Sequence, residues 1–238
     1  MKPAPFRYHR PASLGDALAL LQQPDSKLIA GGQSLAPMMN MRLVAPAALV
    51  DLNGIAGLDA VRESSGFLEI GAMTRHHTLA SSSLVKSFCP LLAEAASTIG
   101  HYAIRTRGTL GGSLAHADPA AQIPLVAVTL GAQIVVKGKR GERAVAAGDF
   151  FVSLMTTVLE PDEIVVAARF PKAPAGARHA YEQFSRRTGD FAIVAVAAVL
   201  EGETFHIGVG GAEDKPLVFE FSDEKREAIP PKVRDAVD

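Results

Sequence analysis

An α+β fold is predicted by three features of the sequence. Strand-like and helix-like segments are mixed without strict alternation, an all-round apolar stretch of helical length runs from Ala121 to Leu130, and the last quarter of the chain reads as antiparallel strands. The 238 residues suffice for one large domain or two to three small ones, and with 48% hydrophobic and 21% charged residues the chain can bury a real core.

Ser13 is a good helix N-cap with Asp16 three residues on, and Leu14, Ala17, Leu18 and Leu21 share one face until Pro24. Lys27 to Ala30 is a brief apolar strand emptying into the glycine loop Ala30-Gly31-Gly32-Gln33-Ser34-Leu35, and Ala48 to Leu52 is the next strand. Leu58 to Val61 and Phe67 to Ile70 flank turn material at Glu63 to Gly66. Helical spacing follows over Thr78 to Phe88 and Pro90 to Ile99, broken at Pro90. A second glycine loop, Thr109-Leu110-Gly111-Gly112-Ser113, comes next, then the apolar helix. Gln133 to Val136 and Glu142 to Val145 suggest a charged hairpin, and Glu163 to Phe170 another strand. Pro171 to Gly176 is the best linker. Beyond it, Phe191 to Leu200, Phe205 to Val209 and Pro216 to Phe221 read as strands of one antiparallel sheet, and the charged, proline-broken sequence after Phe221 leaves little to cover its second face.

The net charge of -1 leaves no global basic field, so nucleic acid and anionic membrane surfaces are poor candidates as partners. A single cysteine, Cys89, permits no internal disulfide and cannot ligate an iron-sulfur cluster or a structural zinc, so its simplest role is packing. The N-terminus lacks the apolar segment of a signal peptide, and the longest apolar run, Phe191 to Leu200, falls short of the roughly 20 residues of a bilayer crossing. A cytosolic protein is expected.

Both glycine loops place two residues without a Cβ beside small hydroxyl side chains, which lets backbone N–H groups converge on an anion. Two ordinary tight turns would read the same way. Neither loop is a Walker loop or a G-x-G-x-x-G fingerprint, and Gly208 to Glu213, which resembles the latter superficially, reads as a turn. His76-His77 and His116-x-Asp118 lack a third ligand cluster, so solvated or capping histidines are expected and no metal site is assigned. Arg105, Arg107, Arg186 and Arg187 are either solvated or contacts to a phosphate or to a partner's acidic rim. No nucleophile with its base can be assembled, so no catalytic residue is assigned.

Taken together, the two glycine loops, Ile70-Gly71-Ala72-Met73-Thr74, the run Leu114 to Ala120 and Ser185-Arg186-Arg187-Thr188-Gly189-Asp190 resemble the FAD-binding medium subunit of molybdenum hydroxylases, the aerobic carbon monoxide dehydrogenase and xanthine dehydrogenase type, over about Pro5 to Gly211. The resemblance implies a flavin fold of the vanillyl-alcohol-oxidase (PCMH) type. Its two α/β subdomains (1–55 and 56–175) would sandwich FAD between them, beside a shortened C-terminal antiparallel-sheet subdomain (176–238). By motif position it implies FAD contacts at Leu28, Ile29, Ala30, Gly31, Gly32, Gln33, Ser34, Leu35, Ile99, Thr109, Leu110, Gly111, Gly112, Ser113, Asp118, Gln122 and Val165. Two departures stand out: Gln122, where relatives often have an acidic residue, and Glu182, where xanthine dehydrogenase has a lysine. The implied function is electron transfer through FAD, within a dimer of heterotrimers containing a molybdopterin-binding large subunit and an iron-sulfur small subunit. An assembly subunit without competent FAD binding and a stand-alone flavin oxidase are the alternatives.

Overall fold

The computed structural model describes residues 2–222 and 226–237. Strand β1 (Arg7–His9), helix α1 (Leu14–Leu21), β2 (Ser26–Ile29), α2 (Leu35–Asn40) and β3 (Ala48–Asp51) form a first layer, in which β3 lies between β1 and β2 and pairs with both in parallel. Ser13 caps α1 through its hydroxyl, which accepts from the Asp16 N–H (3.1 Å), as the sequence predicts. Strand β1 and helix α2 were not expected. Pro37 masks α2 but sits in its first turn, where its missing N–H costs nothing.

The second unit contains β4 (Val61–Ser64), β5 (Phe67–Gly71), α3 (His76–Ser81), α4 (Ser83–Phe88), α5 (Pro90–Ser97), α6 (Tyr102–Arg105), α7 (Leu110–His116) and α8 (Gln122–Thr129). It continues through β6 (Gln133–Gly138), β7 (Gly141–Ala146), α9 (Ala147–Phe150), the small hairpin β8 (Phe151–Ser153) and β9 (Thr156–Thr157), and β10 (Ile164–Pro171). Its sheet runs β4-β5-β10-β6-β7 and is antiparallel throughout. The strand expected at Leu58 to Val61 lies later, at β4. Leu58 is instead drawn into a small core with Val50, Leu52, Met73 and Ile164 that joins the first sheet to the second, and its carbonyl accepts from the Met73 N–H (2.7 Å). The helix expected over Thr78 to Phe88 starts at His76 and breaks at Ser82, whose extended backbone ends α3 and whose hydroxyl caps α4. Cys89 is 2% exposed, and burial pushes its thiol pKa up to about 12, the signature of an inert core cysteine.

The third sheet, β11 (Arg178–Phe184), β12 (Val194–Glu201), β13 (Thr204–Gly210) and β14 (Leu217–Phe221), is antiparallel in that order, and a final helix α10 (Ile229–Asp235) follows. The charged stretch after Phe221 lies partly outside the described residues. All eight residues of α8 are buried. A helix that is apolar all round must have neighbours all round, and α8 packs on β12 and β13 on one side and on α5, α7 and α9 on others. No described helix is long and apolar enough to cross a membrane.

The third sheet sits tightly on α8 because Gly208 has no side chain: a Cβ there would lie 1.9 Å from Thr129 Oγ1 and 2.9 Å from Leu125 Cδ1. Gly208→Val is therefore expected to destabilise the chain by about 3 kcal/mol, the upper part of the range for overpacking. Gly148→Ala, which would meet nothing within 4 Å, should be near neutral. Equal unfolding temperatures for the two variants would show that this packing carries no weight.

Candidate functional site

The first glycine loop leaves the edge strand β2 where the parallel sheet ends, the position at which such sheets present ligands. Gly32 adopts φ +70°, a region that favours glycine. The turn into α2 is closed by Ala36 N–H to Gly32 O (3.2 Å) and Met38 N–H to Ser34 O (3.1 Å), and Gln33 Nε2 donates back to Gly31 O (3.1 Å). The N–H groups of Gly32, Gln33 and Ser34 find no acceptor among the described residues, and all three residues are partly exposed. Unpaired backbone donors of this kind are satisfied by water or by a ligand.

The second loop differs from expectation. Its N–H groups are already committed: Leu110 donates to Thr74 O (3.0 Å), Gly111 to Ala72 O (2.8 Å), Gly112 to Thr109 Oγ1 (3.1 Å) and Ser113 to Thr109 O (3.0 Å). Thr109 is the N-cap of α7 and claims the Gly112 N–H, while Ala72 O takes that of Gly111, so neither glycine has a free N–H to offer an anion. The glycines serve close packing instead, since a Cβ on Gly111 would lie 2.5 Å from Ala72 Cβ. What this stretch presents outward is the bare backbone of Gly112 and the hydroxyl of Ser113, both partly exposed.

The two loops nevertheless touch. A Cβ on Gly31 would fall 2.2 Å from Arg107 O and 2.9 Å from Gly108 Cα, and one on Gly112 would be 3.7 Å from Ala30 Cβ. The chain following the Ile70-Gly71-Ala72-Met73-Thr74 motif laces the second loop in place. His76 N–H donates to Gly108 O (3.0 Å), its Nε2 bonds Thr109 O (2.9 Å), and Arg75 forms a β-bridge with Thr109. His76, expected to be solvated or capping, is thus a buried pin. Burial first, then the nearby Arg75 and Arg105 charges, push its pKa down to about 4 against the pull of Thr109 O, so the ring is neutral. His77 packs edge-on against Tyr102, and no cluster of three metal-ligating side chains occurs among the described residues.

The remaining predicted residues are more scattered. Leu28 and Ile29 lie in β2 below the loop, with Ile29 Cδ1 3.4 Å from the Cβ position of Gly32, and Leu35 opens α2. Ile99 is partly buried against the main core, and its carbonyl accepts from Arg105 Nη1 (2.9 Å). Two residues on, the His101 ring lies 2.4 Å from the Cβ position of Gly189, which brings the Ser185 to Asp190 motif onto the approach to the second loop. Arg187 of that motif pairs with Asp190 (3.2 Å), while Arg186 is exposed. Asp118 accepts from the Ala120 N–H (2.9 Å), and the Gly211 N–H donates to Pro119 O (2.9 Å). Gln122 is buried and donates to Gln183 Oε1 (3.0 Å), which also accepts from Tyr181 (2.8 Å) and Thr98 (3.2 Å). Val165 is buried in the main core. Glu182 is exposed, on the sheet face opposite Tyr181 and Gln183.

Residues 4–173 match the family model described as the FAD binding domain in molybdopterin dehydrogenase. The chain is 43% identical over 202 residues to the carbon monoxide dehydrogenase medium chain of Hydrogenophaga pseudoflava, covering 84% of this chain and 70% of that one. A solved carbon monoxide dehydrogenase from the same organism superposes with a TM-score of 0.89 at 41% identity, covering 92% of this chain and 78% of that chain. Quinoline 2-oxidoreductase from Pseudomonas putida 86 superposes with a TM-score of 0.91 at 35% identity, covering all of this chain and 87% of that one.

Proposed function

Since the chain belongs to the family of FAD binding domains in molybdopterin dehydrogenases, we propose that it is the FAD-carrying, electron-transferring subunit of a molybdenum-containing hydroxylase. The observation that carries this reading is the cradle between the two glycine loops. A diphosphate is an oxygen-rich anion of two tetrahedral phosphates, and the unpaired N–H groups of Gly32, Gln33 and Ser34 are donors of the kind that would hold it. The glycine at 112 keeps the opposite wall free of side chain, the Ser113 hydroxyl adds a further donor, and Arg75 and Arg107 bring positive charge to the seam that the nearby Asp51 and Asp59 partly offset. The residues present therefore fit the cofactor.

FAD, when bound, takes up electrons and hands them on. The chain's own part is to hold it and to shape its surroundings. On this reading the first sheet with its loop (1–55) and the second unit (56–175) are the two subdomains of a vanillyl-alcohol-oxidase-type flavin fold. The C-terminal subdomain (176–238) would lie beside the flavin ring, with the turn around Gly189 on the approach to it. Leu28 to Leu35, Thr109 to Ser113, Ile99, Asp118, Gln122 and Val165 stand as the proposed cofactor shell. Val165 would act through the core behind the site, since its own side chain is buried there. Electrons would arrive from an iron-sulfur small subunit served by a molybdopterin-binding large subunit, in a dimer of heterotrimers. The description of the similar carbon monoxide dehydrogenase protein as a medium chain supports such partners.

The test is to purify the chain and record its visible spectrum, then release and identify the bound group. Yellow protein yielding FAD in stoichiometric amount is the expected result. A colourless chain that also fails to take up added FAD would overturn the reading.

A further inference from the structure

We propose that Arg75 and Asn53 form a strap that sets the spacing of the two glycine loops, and that they are positioning residues for the cofactor's diphosphate; the second half rests on the function proposed above. The loops belong to different sheets, so their separation must be fixed by something other than either sheet's own hydrogen bonding. Arg75 Nη1 donates to Arg107 O, the carbonyl immediately before Gly108, and Arg75 Nη2 donates to Asn53 Oδ1 (2.6 Å). Asn53 Nδ2 donates in turn to Ala30 O (2.8 Å), the carbonyl immediately before Gly31. One guanidinium and one amide thus run from the start of the first loop to the start of the second.

The strap is anchored at its first-loop end. Asp51 Oδ1 accepts from both the Asn53 N–H (2.9 Å) and Asn53 Nδ2, while Asp51 Oδ2 accepts from the Tyr8 hydroxyl, and Arg10 stands 4.0 Å away. Burial raises the carboxyl pKa of Asp51, but the bonds from Tyr8 and Asn53 outweigh it and keep the group ionised. Arg75 is half-buried and is the residue that also bridges Thr109, so its backbone and its side chain both bind the second loop.

The chemistry of both side chains is specific to this task. Arginine presents two N–H groups in a rigid planar fork to acceptors on different segments, which the single flexible ammonium of lysine cannot reproduce. Asn53 must accept with one end and donate with the other. An aspartate there would set a carboxylate against Ala30 O and Asp51, with no donor for either.

The experiment uses the whole chain as wild type, Arg75→Lys and Asn53→Asp, with Leu79→Ala as a core variant of comparable thermal destabilisation. FAD affinity is measured by titration, and hydrogen exchange is followed by mass spectrometry on the cofactor-free proteins. The strap predicts that Arg75→Lys and Asn53→Asp each weaken FAD binding tenfold or more beyond Leu79→Ala. It also predicts faster exchange at 30–36 and 107–113 together. Wild-type FAD affinity in Arg75→Lys would show that only charge matters and overturn the positioning role. Unchanged exchange at both loops would overturn the strap itself. If wild type binds no FAD while the variants still loosen both loops, the cofactor half is overturned and the strap between the loops stands.

Discussion

Gly31→Ala is expected to yield a folded chain that no longer retains FAD. The added methyl carbon would sit 2.2 Å from Arg107 O and within 3 Å of Arg107 C and Gly108 Cα, all of them backbone atoms that cannot rotate away. Restoring an ordinary C···O approach of about 3.3 Å requires the loops to part by about 1 Å. A binding site loosened by about 1 Å has lost its preorganisation. The expected fall in FAD affinity is at least about a hundredfold, or about 3 kcal/mol. Far-UV circular dichroism should stay close to wild type, because the first sheet and the main core lie outside the contact. Gly112→Ala should be milder. Its methyl group would meet Thr109 Oγ1 at 2.7 Å, a side-chain atom that can turn aside at the loss of the α7 cap, and then Ala30 Cβ at a comfortable 3.7 Å. A cap of that type is worth about 1 kcal/mol. Gly15→Ala on α1, with only Ser13 Oγ at 3.9 Å, serves as a glycine control that should keep its flavin. Retention of FAD by Gly31→Ala would mean that the diphosphate lies elsewhere.

The severity order Gly31 above Gly112 is not visible in the sequence, where the two diglycines look equivalent. What the sequence does carry is local. The Ser13 cap, the break at Pro90, the all-round apolar α8 and the hairpin of β6 and β7 are each written in a few consecutive residues, and each forms as read. Elements whose identity depends on distant partners were lost. Strand β1 is three residues long and mostly exposed, and it exists because Ala48–Asp51 offers a parallel edge. Strand β11 carries Arg178, His179, Glu182 and Gln183 and looks polar, and only its pairing with β12 makes it a strand.

The site follows the same division. The conformation of the first loop could be read from its glycines, because φ +70° at Gly32 is a one-residue property. The commitment of the second loop's N–H groups could have been read in part, since Thr109 at an N-cap position will claim the Gly112 N–H. The role of the segment between them could not. Arg75 and His76 act on Arg107, Gly108 and Thr109, and that meeting is set by the antiparallel sheet that carries β5 and β10 beneath both. The motif ending at Thr74 was the available signal, and it pointed to the residues just before the working ones.

The second large effect is expected in acid. His76 titrates at about 4 in the folded chain against 6.5 for a free imidazole, because burial disfavours the cation and Arg75 and Arg105 add like charge. Above pH 6.5 the ring is neutral in both states and the pair of pKa values leaves stability untouched. Between pH 6.5 and about 4 the unfolded chain binds the proton first, so stability falls with falling pH. Below about 4 the folded chain is protonated as well, and the loss from this group levels off at about 3 kcal/mol. The penalty has a structural locus: Nε2 already bonds Thr109 O, whereas Nδ1 is buried without a partner and lies 2.7 Å from the Cβ position of Gly108. A second ring proton would therefore be a stranded donor pressed against the chain that leads into the second glycine loop. Chemical unfolding of wild type and His76→Gln across pH 7 to about 4 isolates this contribution, because the carboxylates Asp51 and Glu163, whose pKa values are lowered, lose their stabilisation in both chains alike. The variant should show a distinctly shallower decline. Parallel declines in the two chains would place the acid sensitivity in some other group and leave His76 as packing alone.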